Sequence, residues 1–205
     1  MLFTMELHCN ELLKSLRNAI IRRIDNLVIL LDTSKVYNPE EDTYLFLDHV
    51  EVEEESRVLD MGTGCGIIGL KLARTCREVV GADINPYAVF YANLNALVNG
   101  IRNFHAVWSN LFSNIEGCFD YIVFNPPYLE GLATDILEES WYGGWRLVAS
   151  FLREAQRRVR RGIFILVTED MLPKLELNAF RIEVLAEKSM WFFEKTLLLK
   201  LEKKT

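Results

Sequence analysis

The sequence lacks the long apolar run and the leader segment that mark membrane and secreted proteins. The richest apolar stretch, Leu27–Leu31, is far shorter than the roughly 20 residues that a membrane-spanning helix needs. The segment Met1–Cys9 has no basic region followed by an apolar stretch, so it is not typical of a secretory signal. We therefore expect a cytoplasmic protein without a membrane span.

Paired cysteines and an excess of positive charge are also missing. The four cysteines (Cys9, Cys65, Cys76 and Cys118) form no C-x-x-C pair, and no histidine stands at metal-ligand spacing to them. We expect neither a disulfide framework nor a metal site. The net charge of -6 disfavours a protein that grips long nucleic acid mainly through its phosphates.

The first 35 residues differ in pattern from the rest and are interpreted as an N-terminal extension. Apolar positions recur at three- and four-residue intervals from Glu6 to Ile24, which predicts an amphipathic helix. A short strand is predicted over residues 27–31 and a second helix over 40–50. The acidic run at 51–55 is interpreted as a solvated linker, because like charges so close together repel one another.

Short apolar runs alternate with helical stretches from residue 57 onward, within a main domain placed at 36–205. Strands are predicted at 57–60, 79–83, 104–108, 121–124 and 163–168, with closing strands near 181–186 and 195–201; helices are predicted at 67–75, 86–98 and 147–159. Nearly continuous apolar strands separated by helices indicate an α/β fold whose mostly parallel sheet is covered on both faces.

A glycine-rich turn follows the first of these strands. Gly62, Gly64 and Gly66 stand at alternate positions, where the absence of side chains lets the backbone approach a ligand and offer amides to it. Asp60, at the strand end, is predicted to accept hydrogen bonds from a ligand ammonium group. The alternative is a turn that only packs a helix closely against a strand.

Asp83 ends the next strand, about 20 residues beyond the turn, where a carboxylate can accept both hydroxyls of a ribose. The glycine spacing is G-x-G-x-G, whereas a dinucleotide site has G-x-G-x-x-G. This spacing favours S-adenosylmethionine over NAD.

The segment Asn125-Pro126-Pro127-Tyr128 follows the strand at 121–124 and should lie at the ligand-binding edge of the sheet. Two prolines remove two backbone donors and leave carbonyl oxygens as acceptors. The Asn125 side-chain oxygen and the Pro126 carbonyl can together accept both hydrogens of a substrate NH2 group, and Tyr128 can stack on the planar acceptor. The alternative is a rigid turn with a packed tyrosine.

Together these residues resemble the HemK-like N5-glutamine methyltransferases, particularly their short archaeal and eukaryotic type, within the class I S-adenosylmethionine-dependent fold. The segment from Val36 to Thr43 is similar to the family's V-Y-x-P-x-E-D-T sequence, which covers the cofactor, and Trp141–Gly144 is similar to its W-x-G-G turn. The resemblance implies a Rossmann-like, seven-stranded, mostly parallel sheet with helices on both faces and an antiparallel closing strand.

The resemblance also implies the roles of individual residues. Together with the glycine turn, it places the cofactor against Thr43, Asp60, Gly62, Gly64, Asp83, Asn110, Leu111 and Asn125, and it has Asn125 contact the substrate as well. With the transfer geometry above, the predicted catalytic residues are Asn125, Pro126 and Tyr128, and Pro127 joins them in binding the substrate. Asn110 departs from the family, which has an acidic residue there facing the adenine amino group. An amide oxygen still accepts that hydrogen bond, at a loss of about 1 kcal/mol.

The family's substrate is the glutamine of a Gly-Gly-Gln loop in a translation release factor. The resemblance to the short members of the family further implies an obligate partner, a small zinc-binding activator protein. The apolar stretch Met190–Phe193 is a candidate surface for such a partner, with buried core as its alternative.

Two other functions remain open from the sequence. An N6-adenine or related methyltransferase would use the same Asn-Pro-Pro-Tyr geometry on an exocyclic amine of RNA or DNA. The arginines at 157–161 favour that alternative, whereas arginines that end a helix commonly complement its dipole and remain solvated. A catalytically silent module is disfavoured because Asn125 and the glycine turn are intact.

Overall fold

The computed structural model describes residues 9–127, 144–190 and 194–204. In chain order its elements are α1 (Cys9–Asn18), β1 (Ile20–Ile24), β2 (Leu27–Leu31), α2 (Glu41–His49), β3 (Arg57–Met61), α3 (Ile67–Leu72), β4 (Glu78–Asp83), α4 (Pro86–Val98), β5 (Phe104–Trp108), β6 (Phe119–Phe124), α5 (Gly144–Arg158), β7 (Val159–Thr168), a short 3-10 helix (Glu169–Lys174), β8 (Phe180–Met190) and β9 (Glu194–Lys203).

Seven of these strands form one sheet in the order β5-β4-β3-β6-β7-β9-β8. Neighbouring strands from β5 to β7 in this sheet order run parallel to each other. The strand β9 lies between β7 and β8 and is antiparallel to both. The predicted α/β fold with a mostly parallel sheet and an antiparallel closing strand is confirmed. Its parallel strands bring the residues after β3, β4, β5 and β6 to one edge of the sheet.

The sheet is buried on both faces because its strands are apolar at consecutive positions. Along β3, Val58 packs into one hydrophobic cluster with α3, α4 and the N-terminal hairpin, whereas Leu59 packs into a second cluster with α5. Both side chains are fully buried. This two-sided burial accounts for the nearly continuous apolar runs in the sequence.

The prediction of one helix from Glu6 to Ile24 is wrong in its C-terminal part. Among the described residues the helix α1 ends at Asn18, and residues 20–24 form the first strand of a two-stranded antiparallel hairpin, β1-β2. Asp25 and Asn26 form the hairpin turn with φ of 48° and 61°. Both residue types tolerate the left-handed region, and such two-residue turns match the twist of a hairpin.

Two asparagines, one in α4 and one directly after its last residue, join this hairpin to α4. Asn95 accepts a hydrogen bond from the backbone N–H of Leu30 (2.8 Å) and donates to its carbonyl (3.0 Å). Asn99 makes the same pair of bonds with Val28, at 2.8 Å and 2.7 Å. The two side chains thereby take the place of a neighbouring strand along β2.

The bounds of β2, α4 and β5 are as predicted, and the remaining predicted elements are confirmed with shifted ends. The helix α3 is three residues shorter than predicted, and β7 begins four residues earlier. The acidic run before β3 is largely exposed. Within the described ranges, no helix combines the length and apolar character needed to cross a bilayer.

Candidate functional site

A cavity of about 500 Å³ opens at the edge of the sheet where β3, β4 and β6 end. Among the predicted site residues, those that line it are Thr43, Gly62, Gly64, Asp83, Asn110, Leu111, Asn125, Pro126 and Pro127. The segment before α2 and the first turn of α5 complete its wall. Tyr128, Trp141, Tyr142 and Gly143, and the stretch Trp191–Phe193, lie outside the described residues.

The glycine turn between β3 and α3 requires glycine for two different reasons. Gly62, Gly64 and Gly66 all have positive φ, at 64°, 55° and 88°. A Cβ on Gly66 would lie 3.1 Å from both the Cα and the Cβ of Ala92 in α4, whereas a Cβ on Gly64 would meet no atom within 4 Å. Gly66 therefore permits close packing of the turn on α4, and Gly64 leaves open space on the cavity wall.

Asp60 is buried beneath this turn and is not among the residues that line the cavity. Its Oδ2 accepts hydrogen bonds from the Thr63 hydroxyl (2.7 Å) and the Gly69 backbone N–H (3.0 Å). Burial raises the pKa of Asp60 to about 7, against the lowering effect of these two bonds. In this arrangement Asp60 ties β3 to α3, and its contact with a ligand ammonium group stays a prediction.

Asp83 joins the glycine turn to the segment that begins α4. Its Oδ2 accepts from the Gly64 backbone N–H and its Oδ1 from that of Asn85, both at 2.9 Å. Asn85 in turn caps α4 by accepting from the Tyr87 backbone N–H, and it donates to the Lys35 carbonyl. These bonds hold a half-buried carboxylate on the cavity wall, the position predicted for a ribose contact.

The loop after β5 supplies Asn110 and Leu111 to the same cavity. Leu111 has φ of 48°, an uncommon conformation for a leucine, and the Ser109 hydroxyl donates to its carbonyl at 2.6 Å. The Asn110 side chain is exposed and Leu111 is half-buried. The loop thus offers one polar and one apolar group, which suits the edge and the face of a purine ring.

Asn125 is held by a residue that the sequence analysis did not single out. Its Nδ2 donates to Oδ2 of Asp42 at 2.8 Å. Its Oδ1 is buried, and no described residue donates a hydrogen bond to it. Asp42 lies inside the segment recognised as similar to V-Y-x-P-x-E-D-T, so the only signal for it in the sequence was that motif.

The first turn of α5 adds a second residue that the sequence did not indicate. Arg146 lies on the cavity wall, together with Leu147. The Arg146 guanidinium lies 5.0 Å from the ring centroid of its neighbour Trp145, and its side chain is exposed. It had no signal in the sequence because it lies two residues beyond Gly144, where the W-x-G-G-like segment ends.

Similarity to known proteins identifies the chemistry of this cavity. The profile of the family described as "Methyltransferase small domain" matches residues 37–189. The chain is also 31% identical over 175 residues to a protein of Methanocaldococcus jannaschii named as a candidate protein N5-glutamine methyltransferase, covering 78% of this chain and 88% of that protein. The chain belongs to the methyltransferase small domain family. It is an S-adenosylmethionine-dependent methyltransferase.

Bacterial relatives of this methyltransferase match over a shorter length. The release factor glutamine methyltransferase of Agrobacterium fabrum is 37% identical over 119 residues, which is 53% of this chain and 40% of that protein. That of Deinococcus radiodurans is 40% identical over 88 residues, or 42% of this chain and 31% of that protein. The methyltransferase therefore spans less than half the length of these two relatives.

Solved structures support the fold. The tRNA m1G37 methyltransferase of M. jannaschii superposes with a TM-score of 0.70 at 18% identity, over 92% of this chain and 57% of that one. Trm5b of Pyrococcus abyssi gives a TM-score of 0.67 at 19% identity, over 92% and 56%. M. jannaschii Trm5 in complex with adenosine gives 0.70 at 17%, over 92% and 57%.

The described residues fit S-adenosylmethionine. The open space at Gly64 lets the backbone of the turn approach a ligand, Asp83 presents a carboxylate on the wall, and Leu111 supplies apolar surface on the same cavity. The cavity volume lies in the range of ordinary small-molecule sites.

Proposed function

We propose that this methyltransferase methylates the side-chain amide nitrogen of a protein glutamine, in the Gly-Gly-Gln loop of a translation release factor. The observation that supports it most directly is the fixed carboxamide of Asn125, whose NH2 end is bound to Asp42 and whose buried oxygen lacks a described donor. The names of the relatives in M. jannaschii and A. fabrum supply the choice of glutamine and of release factor.

The chemistry requires an acceptor NH2 group to be held with its nitrogen facing the methyl donor. Bound S-adenosylmethionine supplies an electrophilic methyl group on a sulfonium leaving group. The Oδ1 of Asn125 accepts one amide hydrogen and the Pro126 carbonyl accepts the other, which weakens conjugation of the nitrogen lone pair. Alignment in a site that excludes water lowers the barrier by several kcal/mol. The N–CH3 bond forms as the S–CH3 bond breaks, and the methylated nitrogen, then positively charged and strongly acidic, loses one proton to solvent as the product leaves, so no strong base is required.

The other predicted residues take supporting roles in the same proposal. Thr43 and the backbone of the glycine turn bind the methionine end, Asp83 binds the ribose hydroxyls, and Asn110 with Leu111 binds the adenine. Tyr128 stacks on the acceptor amide.

The run of arginines near the end of α5 bears on the nucleic-acid alternative. Arg158 donates to the Ile115 carbonyl at 2.8 Å, Arg160 pairs with Asp120 at 3.5 Å, and Arg161 pairs with Glu53. Most of the run is thus already paired within the domain. With a net charge of -6, this pairing favours a protein acceptor over a phosphate backbone.

Two further parts complete the proposal. A small zinc-binding protein, implied by the family resemblance, acts as the activating partner, and the enzyme works in the cytoplasm, as expected from the sequence. Stable co-purification of the two proteins from a common expression strain would test the partnership.

The acceptor is tested by incubating the enzyme, with and without the activator, with labelled S-adenosylmethionine and separate candidate substrates. These are a release factor, its Gln→Ala variant in the Gly-Gly-Gln loop, and bulk RNA and DNA. We expect label only on the unaltered release factor, located on the glutamine by tandem mass spectrometry. Label on nucleic acid, or equal label on the Gln→Ala variant, would refute the proposal.

Asn125→Ala supplies the matched enzyme control. We expect it to bind S-adenosylmethionine but to lose transfer by several orders of magnitude, because acceptor alignment depends on its oxygen. Retained turnover would remove the assigned role of Asn125.

A further inference from the structure

Asp42 stands at the centre of a small buried network that connects the segment before α2 with the end of β6. Its side chain is 2% exposed and lines the cavity beside Asn125. Its Oδ1 accepts hydrogen bonds from the Tyr37 hydroxyl (2.9 Å) and the Thr43 backbone N–H (2.7 Å). Its Oδ2 accepts from Nδ2 of Asn125 at 2.8 Å. Both carboxylate oxygens are therefore engaged.

This network determines which end of the Asn125 carboxamide faces Asp42. An ionised carboxylate only accepts hydrogen bonds, so the group turned toward it must be the NH2 end of the asparagine. The oxygen of Asn125 then points elsewhere, and it is the buried atom that no described residue supplies with a donor. A buried acceptor without a donor costs free energy unless a ligand completes it.

We propose that Asp42 is a positioning residue for methyl transfer: it fixes the Asn125 carboxamide so that its oxygen, and not its NH2 group, faces the acceptor. The inference deepens the proposed function and rests on it only in requiring an acceptor that presents an NH2 group. It applies equally to a glutamine amide and to an exocyclic amine.

The charge of Asp42, and not only its shape, is required. In Asp42→Asn the end facing Tyr37 and the Thr43 N–H must remain an oxygen, because a backbone N–H cannot accept a hydrogen bond. The NH2 group of the new asparagine then faces Asn125. The Asn125 carboxamide must reverse, and its own NH2 group opposes that of the acceptor.

A reciprocal exchange should restore the arrangement. In the double variant Asp42→Asn/Asn125→Asp, the NH2 group of residue 42 donates to one carboxylate oxygen of residue 125, and the other oxygen faces the acceptor. In Asn125→Asp alone, two carboxylates would face each other across 2.8 Å, which is unfavourable in a buried site. A side chain that only supported the fold would show no such reciprocity.

The test compares the two single variants, the double variant and Asp48→Asn, a matched control at an exposed position of the same helix. We expect Asp42→Asn to lower kcat about a hundredfold, because the acceptor then meets an unpaired donor. The dissociation constant for S-adenosylhomocysteine, measured by calorimetry, should change less than about threefold, a difference well below one decade of affinity. The exchange variant should recover kcat at least tenfold over either single variant, a difference of roughly 1.4 kcal/mol in activation free energy.

Wild-type kcat in Asp42→Asn, or a folded exchange variant no more active than either single variant, would overturn the inference. A second measurement covers the case in which the exchange variant does not fold, and it needs no acceptor. The side-chain amide signals of Asn125, assigned by their loss in Asn125→Ala, should show slow proton exchange in the wild-type protein and fast exchange in Asp42→Ala. Equal exchange rates would refute the positioning role even if the proposed acceptor proved wrong.

Discussion

Replacing Asp83 by alanine removes the carboxylate that the cavity presents for a ribose. In the protein this group already accepts hydrogen bonds from the backbone N–H groups of Gly64 and Asn85, each at 2.9 Å. Those two bonds fix the direction of the carboxylate before any ligand arrives. We therefore expect Asp83→Ala to weaken S-adenosylmethionine binding both by losing ribose contacts and by loosening the glycine turn.

The expected loss follows from the kind of bond involved. A hydrogen bond to a charged group contributes about 1.5–3 kcal/mol, and the half-buried position of Asp83 lowers the sum for two such bonds through solvent screening. A total of about 1.5–3 kcal/mol corresponds to a roughly 10- to 150-fold rise in the dissociation constant.

Calorimetric titration with S-adenosylhomocysteine and its 2′-deoxy analogue separates the two contributions. The wild-type protein should prefer the ribose form, whereas Asp83→Ala should bind both forms with nearly equal, weak affinity. Loosening of the turn lowers both affinities together and leaves their ratio unchanged. If Asp83→Ala kept either the wild-type affinity or the wild-type preference for ribose, the assignment of Asp83 to the ribose would be wrong.

Three further substitutions probe the turn, the hairpin and the buried carboxylate. Gly66→Ala should lower the free energy of unfolding, measured in urea, by about 1–3 kcal/mol, because Gly66 has a positive φ and packs closely on α4. Gly64→Ala should instead weaken ligand binding more than it lowers stability. If both variants changed stability and ligand binding equally, the different roles given to the two glycines would be wrong. Asn95→Ala should lower the free energy of unfolding by about 2–4 kcal/mol, because it removes three hydrogen bonds of the Asn95 side chain. An unchanged midpoint of urea unfolding would refute the role of Asn95 in holding the hairpin against α4. Burial raises the pKa of Asp60 from 3.8 to about 7, so the native state binds this proton more tightly than the unfolded state. Wild-type stability should therefore fall, relative to that of Asp60→Asn, as the pH rises from about 4 to about 7. A stability difference that is independent of pH would contradict this.

The parts of the fold that the sequence predicted correctly are those set by local pattern. The predicted bounds of α4 and β5 match the structure, since Pro86 and the Asn85 cap mark where α4 starts and β5 is apolar except for the exposed His105. The glycine turn and the Asn-Pro-Pro segment are contiguous motifs, and both lie on the cavity as expected.

The errors and omissions arose where distant residues decide the outcome. Residues 20–24 satisfy a helical pattern, yet they pair with β2, whose other edge is bonded by Asn95 some 65 residues away. The burial of Asp60 against Thr63 and Gly69 beneath the turn was likewise not indicated by its place at the strand end, and its contact with a ligand stays a prediction.

Hydrophobic periodicity and short motifs thus determined the α/β class, the order of most elements and the location of the cofactor and transfer segments, because each depends on neighbours in the chain. Only the tertiary structure decided how the Asn125 carboxamide is oriented. Its partner Asp42 stands 83 residues away, and the choice between oxygen and NH2 depends on that carboxylate being packed within hydrogen-bonding distance.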